Sequence, residues 1–187
     1  MSLGFLSPAP QAVARSPMER QALAAGARLE LRDGWNVAVE FPGEDDRPVG
    51  FADMSHVTKV EVYGRFEPGR ATRAGSAWRC PYTAERALVI GERADGIDVT
   101  CVYAALAIAG PLARELFARF SALDLRPSAM PVGSFRPGSV ARTPGAILRE
   151  AEDRYLMLFG AALGEYMWAV VADAAGHLGG GPVGADA

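Results

Sequence analysis

The chain has 187 residues, half of them apolar, and a formal net charge of −3. This length is enough for one sizeable hydrophobic core and too short for two domains of ordinary size. The slightly negative charge excludes a general attraction to nucleic acid or to an anionic membrane surface. No segment approaches the roughly 20 consecutive apolar residues that a membrane-spanning helix needs.

The two cysteines, Cys80 and Cys101, match no metal-binding or redox spacing, because neither has a second cysteine within four residues. We therefore expect two buried, reduced thiols in a cytoplasmic protein, and no metal site. The first fifteen residues lack the basic start and continuous apolar run of a secretory signal peptide, which favours the same compartment.

The chain is expected to begin with an extended arm over residues 1–15, followed by a helix. Ser16 and Glu19 have the spacing of a capping box, and Pro17 suits the first helical position. Gly26 is placed to end this helix, because glycine accepts the left-handed conformation found at helix ends.

Short runs of β-branched, aromatic and other apolar residues predict nine strands after this helix. In the fourth run, Val60 and Val62 alternate with Lys59 and Glu61, as expected when the two faces of a strand differ in polarity. The nine runs cover residues 28–31, 35–41, 49–53, 57–63, 77–80, 87–90, 104–108, 146–149 and 155–159.

Two more helices are predicted from apolar residues at helical spacing. The first opens after Gly110, and its stripe consists of Leu112, Leu116, Phe117 and Phe120. The second starts near Ala162, and its stripe consists of Leu163, Met167, Val171 and Ala174. Residues 179–187 are rich in glycine and are predicted to form a flexible tail. Because strands and helices do not alternate regularly, the order predicts a single α+β domain over residues 16–178.

Two polar groups are candidates for a functional site. His56 lies at a strand junction directly after Ser55, where hydrogen bonds within a turn explain the polar residues better than catalysis does. Glu150, Glu152 and Asp153 lie between two predicted strands. They can form a solvated hairpin turn, which the residues alone favour. Alternatively, one carboxylate lies at the mouth of a pocket, where it can accept two parallel N–H donors.

Several segments, taken in order, resemble the glycine-cleavage T-protein (aminomethyltransferase) superfamily. Residues 50–59 read GFADMSHVTK and are similar to the family's FDVSHMGK signature, and residues 110–116 read GPLAREL, similar to its QGPKAREL. The Gly-Ala and Gly-Trp pairs at 26–27 and 34–35, residues 131–136, and the closing helix with residues 182–184 continue the match. The resemblance implies that family's folate-binding N-terminal domain, which is built of small antiparallel sheets with packed helices.

The departures from the family bear on catalysis. In T-proteins, the segment after the signature contains an Asp that assists methylene transfer to tetrahydrofolate. Here residues 64–75 are predicted to form a loop and contain no Asp, so we expect no catalytic residue in this chain. The family's TGE corresponds to residues 150–152, which keep only Glu152 to face a pterin. The resemblance therefore implies that any remaining folate pocket is lined by Met54, Glu152 and Tyr155.

Size and these losses resemble the gamma subunits of heterotetrameric sarcosine oxidases. The resemblance implies a small, non-catalytic subunit of a folate-linked oxidase or demethylase of N-methylated amines such as sarcosine. Larger partner subunits would then hold flavin, NAD and folate, and tetrahydrofolate is the one cofactor expected at this chain. Two alternatives stay open: a minimal tetrahydrofolate-dependent aminomethyl- or methyltransferase, and a folate-sensing module.

Overall fold

The computed structural model describes residues 14–187, so the expected arm over residues 1–15 lies almost entirely outside the described residues. Within residues 14–187, thirteen strands form three sheets, and three α-helices and one 3₁₀ turn (Ala161–Leu163) accompany them. The helices are α1 (Glu19–Ala24), α2 (Ala113–Ala118) and α3 (Gly164–Gly176). The strands are β1 (Arg28–Arg32), β2 (Trp35–Glu40), β3 (Gly50–Asp53), β4 (Lys59–Tyr63), β5 (Thr72–Ala74), β6 (Ala77–Pro81), β7 (Arg86–Ile90), β8 (Ile97–Asp98), β9 (Tyr103–Ala109), β10 (Phe135–Val140), β11 (Thr143–Ala151), β12 (Arg154–Gly160) and β13 (Gly181–Pro182).

A six-stranded sheet occupies the centre of the fold. Its order is β10-β11-β12-β9-β3-β13, antiparallel throughout except for the parallel pair β13-β3. A five-stranded sheet, β5-β6-β7-β4-β8, and the hairpin β1-β2 complete the described architecture. The prediction of an α+β chain built from small sheets is confirmed at this level, with strands dominating.

Both faces of the six-stranded sheet are buried, as the alternation of side chains along β12 shows. Tyr155, Met157 and Phe159 point into the larger core, which also contains residues of α3. Leu156 and Leu158 point the other way, toward residues of the five-stranded sheet. A strand that is buried on both sides reads as a continuous apolar run, which is why its sequence predicted it so clearly.

Helix α3 covers the first of these faces. Trp168 contacts Phe51 of β3 edge-on, with the ring centroids 5.1 Å apart. Met167 and Val171 are fully buried and Ala174 nearly so, as their fourfold spacing predicted. These contacts hold α3 against this face of the sheet. The candidate site described below lies on the opposite face.

All nine predicted strands are present within the described residues, but four others were missed. The longest of these is β10, which contains Pro137 and Gly138, two residue types that are depleted in strands. It is an edge strand of its sheet, and an edge strand tolerates proline because one side of its backbone needs no ladder partner. Helix α1 also begins at Glu19, later than predicted, since the hydroxyl of Ser16 accepts the N–H of Met18 in a preceding turn.

Residues 179–187 pack on the domain, which corrects the prediction of a flexible tail. The N–H of Val183 donates to the Phe51 carbonyl at 2.9 Å, and the N–H of Ala185 donates to Ala38 at 2.9 Å. Glycine was taken as a sign of fraying, whereas here it permits close approach of two backbones. A Cβ on Gly184 would overlap the carbonyl oxygen of Val39 on β2.

This packing predicts that Gly184→Ala destabilises the protein. The added methyl must displace the backbone of β2, so we expect the free energy of unfolding to fall by about 1–3 kcal/mol in urea titrations. Gly176→Ala is the matched control, because a Cβ at this last residue of α3 meets nothing within 4 Å. The control should keep or raise stability, and equal stability of Gly184→Ala and the wild type would contradict the packed segment.

Candidate functional site

The five-stranded and six-stranded sheets face each other and leave a pocket at each end of the space between them. On β7 and β9, side chains of the same strand face line both pockets. Leu88 and Tyr103 line one pocket, and Ile90 and Ala107 line the other. The first pocket, here called the Glu150 cleft, has a volume of about 350 Å³. It is lined by Met54, Val57, Arg73, Ser76, Trp78, Ile90, Gly91, Ala107, Glu150, Ala151, Arg154 and Leu156.

The second pocket, here called the apolar cavity, has a volume of about 360 Å³. Tyr82, Tyr103 and Phe135 contribute aromatic walls, and Pro137 and Pro144 contribute rigid apolar ones. Both volumes fall within the usual range of small-molecule sites, roughly 300–1,000 Å³. Of these two pockets, the Glu150 cleft is the one with charged side chains in its lining, so it is the better candidate for recognition of a polar ligand.

The apolar walls of the Glu150 cleft come from the ends of several strands. Met54 directly follows β3, and its N–H donates to the Ala105 carbonyl at 2.9 Å. Trp78 on β6 pairs with Ile90 on β7, and its indole is largely buried. The guanidinium of Arg73 lies over the Trp78 ring, 5.5 Å from the centroid. The planar indole and the flexible thioether therefore offer apolar contact near a cation.

The carboxylate of the cleft belongs to Glu150, which lies at an irregularity of the β11-β12 ladder. Arg149 pairs with Tyr155 and Ala151 pairs with Arg154, so Glu150 is an extra residue on β11, in a β-bulge. Its carboxylate is 3.5 Å from the Arg154 guanidinium and its side chain is 20% exposed. A carboxylate at such a mouth can accept two parallel N–H donors from a heterocycle.

The structure brings Met54, but not Glu152 or Tyr155, to the cleft. Glu152 is exposed in the hairpin turn that follows the bulge. Tyr155 is fully buried on the opposite face of the sheet, with its ring 5.5 Å from that of Phe117. Strict alternation from the buried Leu148 would have placed both Glu150 and Glu152 on the cleft face. The bulge, which has no simple sequence signal, takes Glu152 out of that pattern.

The segment at residues 64–75, which was predicted to form a loop, contributes a cation to the cleft. Residues 64–75 include the short edge strand β5, which carries Arg73. The one carboxylate of this segment, Glu67, is exposed and does not line the cleft. Among the described residues, Glu150 is therefore the acid that lines this pocket.

The motif at residues 53–59 acts as a structural turn that holds Met54. Lys59 is fully buried, and its ammonium donates to the carbonyls of Ser55 at 3.0 Å and Val57 at 2.7 Å. The Asp53 carboxylate accepts the N–H of Ser55 at 2.9 Å. Burial lowers the pKa of Lys59 to about 8, although the nearby Asp53 carboxylate opposes this shift. Burial also lowers the pKa of His56.

The two cysteines differ in exposure, so the expectation of two buried thiols holds for Cys80 and is wrong for Cys101. Both are unpaired, and burial raises the pKa of the Cys80 thiol. Within residues 14–187, no three His, Cys, Asp or Glu side chains are grouped to hold a metal ion. In the same residues, no helix is long and apolar enough to cross a membrane.

Among the solved structures that share this fold, two are similar to it over most of this chain. One chain of a heterotetrameric sarcosine oxidase from Corynebacterium sp. U-96, in complex with pyrrole 2-carboxylate, gives a TM-score of 0.71 at 17% identity. The match covers 89% of this chain and 97% of that one. The glycine cleavage system aminomethyltransferase T from Bartonella henselae gives a TM-score of 0.72 at 13% identity, over 92% of this chain and 60% of that one.

These two structures confirm, as a likeness of fold, the predicted resemblance to T-proteins and to sarcosine oxidase. No protein-family model matches the sequence, and the comparison with curated proteins gives no match either. The chain spans 60% of the length of the aminomethyltransferase, and nearly the whole of the sarcosine oxidase chain.

The buried Lys59 predicts a specific dependence of stability on alkaline pH. Its pKa falls from 10.5 to about 8 on folding, so between these values the unfolded chain binds more protons than the folded one. The cost of burying the ammonium is then lost as pH rises, which stabilises the fold by up to about 3 kcal/mol.

The measurement is the difference in unfolding free energy between the wild type and Lys59→Met, followed from pH 7 to 10.5. Other titrating groups, such as the tyrosines and Cys80, act alike in both proteins and cancel from the difference. We expect the wild type to gain stability relative to the variant as pH rises. A difference that stays constant across this range would contradict a charged, buried Lys59.

Proposed function

We propose that this chain is a small, non-catalytic, gamma-type subunit of a cytoplasmic, folate-linked oxidase or demethylase of N-methylated amines such as sarcosine. One observation carries the proposal. The structural match covers 97% of one chain of a heterotetrameric sarcosine oxidase and 89% of this chain. The two chains are therefore similar in length as well as in fold. In the proposed assembly, larger partner subunits hold flavin and NAD.

The contents of the cleft support a non-catalytic role. The segment at residues 64–75 supplies no Asp, and its Glu67 does not line the cleft. The one acid that lines the cleft, Glu150, is paired with the Arg154 guanidinium at 3.5 Å. This arrangement favours binding over proton transfer, and it argues against the alternative of a minimal aminomethyl- or methyltransferase.

We also propose that the Glu150 cleft is a reduced folate site that binds the pterin of tetrahydrofolate. Glu150 would accept the amino and ring N–H donors of the pterin, and Met54 and Trp78 would contact its faces. Of the three residues that the family resemblance indicated, Met54 keeps its assigned role. Glu150 takes the role assigned to Glu152, and Tyr155 packs in the core on the opposite face of the sheet.

The subunit proposal predicts a stable complex with a flavoprotein. We expect a tagged chain, expressed in its native cells, to co-purify in constant stoichiometry with larger chains that show flavin absorption and oxidise sarcosine. Deletion of this chain should lower the yield of the assembled enzyme, because a missing subunit leaves apolar docking surface exposed on its partners. A chain that purifies alone, or that turns over an aminomethyl donor with tetrahydrofolate by itself, would contradict the proposal.

The folate proposal predicts that Glu150 and Glu152 differ in their effect on binding. Calorimetry with 5-formyltetrahydrofolate, a stable reduced folate, should show binding to the wild type. Glu150→Gln should weaken this binding roughly 10- to 100-fold, because one charged hydrogen bond contributes about 1.5–3 kcal/mol. Glu152→Gln is the matched control and should bind as the wild type does. Equal loss in both variants, or loss only in Glu152→Gln, would overturn the assignment of Glu150.

A further inference from the structure

We infer that Arg149 is a positioning residue that holds Glu150 in the cleft, an inference that rests on the proposed role of Glu150 in binding a pterin. Arg149 is only 3% exposed, yet its hydrogen-bond partners among the described residues are all backbone carbonyls. A buried guanidinium without a carboxylate partner is costly, so its hydrogen bonds to the backbone must be well formed for the fold to tolerate it.

The guanidinium connects the backbone of the hairpin turn with that of the loop before β10. It donates to the Glu152 carbonyl at 2.7 Å and to the Ala151 carbonyl at 3.3 Å, both directly after the bulge residue. It also donates to the Met130 carbonyl at 2.8 Å, in the loop before β10. A planar group with five donors can hold three oxygens at fixed directions, which the ammonium of a lysine cannot reproduce.

The aromatic ring of Tyr155 packs against the Arg149 guanidinium. Tyr155 is the ladder partner of Arg149, is fully buried, and its ring centroid lies 5.6 Å from the guanidinium carbon. Arg149 therefore lies on the face of the sheet opposite to the cleft. From there it acts on Glu150 only through the backbone, since Glu150 is the residue between Arg149 and the first carbonyl that the guanidinium holds.

These contacts fix the backbone around Glu150. The bulge leaves Glu150 without a ladder partner, so the pairing of β11 with β12 does not hold its backbone, yet both Glu150 and Ala151 line the cleft. Because Arg149 binds the carbonyls of residues 151 and 152, it holds the bulge in the form that directs Glu150 to the cleft. Its effect on a ligand should therefore depend on Glu150 being present.

A double-mutant cycle tests this dependence with 5-formyltetrahydrofolate as the probe. Arg149→Met should weaken binding at least about tenfold, and Arg149→Lys should not restore it. In the Glu150→Gln background, Arg149→Met should cause no further loss, because the group that it positions is already gone. A loss of the same size in both backgrounds would show a general structural effect and overturn the inference.

Hydrogen exchange gives a second measurement that needs no ligand. In Arg149→Met, the amides of residues 150–153 should exchange at least about tenfold faster than in the wild type, while those of β3 and β9 keep their rates. If the wild type binds no folate, the proposed pterin site is wrong. The exchange rates of the hairpin amides then test by themselves whether Arg149 holds the hairpin. Unchanged exchange at the hairpin, or acceleration spread over the whole sheet, would overturn the positioning role.

Discussion

The burial of the six-stranded sheet on both faces is the constraint from which the rest of the molecule follows. Helix α3 covers one face and the five-stranded sheet covers the other, so neighbouring residues of β9 and β12 contribute to different cores. The face that meets the second sheet cannot be filled completely at its ends, because two twisted sheets separate away from their line of closest contact. The Glu150 cleft and the apolar cavity occupy these two ends.

Much of this fold could be predicted from the sequence, because burial on two faces leaves continuous apolar runs. The strands around Leu106 and Met157 are of this kind. The missed elements obey constraints that lie outside their own residues: β10 tolerates Pro137 as an edge strand, and Gly184 permits contact with a distant strand. At the candidate site, the motif that carries Met54 could be recognised. The choice of Glu150 over Glu152 could not be predicted, because it depends on a bulge whose backbone is held by contacts with Arg149.

The candidate site lies within the part of the fold that is similar to the aminomethyltransferase. The match covers 92% of this chain, in which the two sheets enclose the cleft. This cleft holds one carboxylate among the described residues, next to a guanidinium 3.5 Å away. Such a site is suited to hold a planar, hydrogen-bonding ligand, and partner chains would supply the oxidation chemistry in the proposed assembly.

The most direct test of this account is a crystal structure of the chain with 5-formyltetrahydrofolate. The account predicts the pterin between Met54 and Trp78, with its amino edge against the Glu150 carboxylate and Glu152 still in solvent. A pterin bound outside the cleft, or a pterin whose amino edge contacts Glu152 instead of Glu150, would contradict the account.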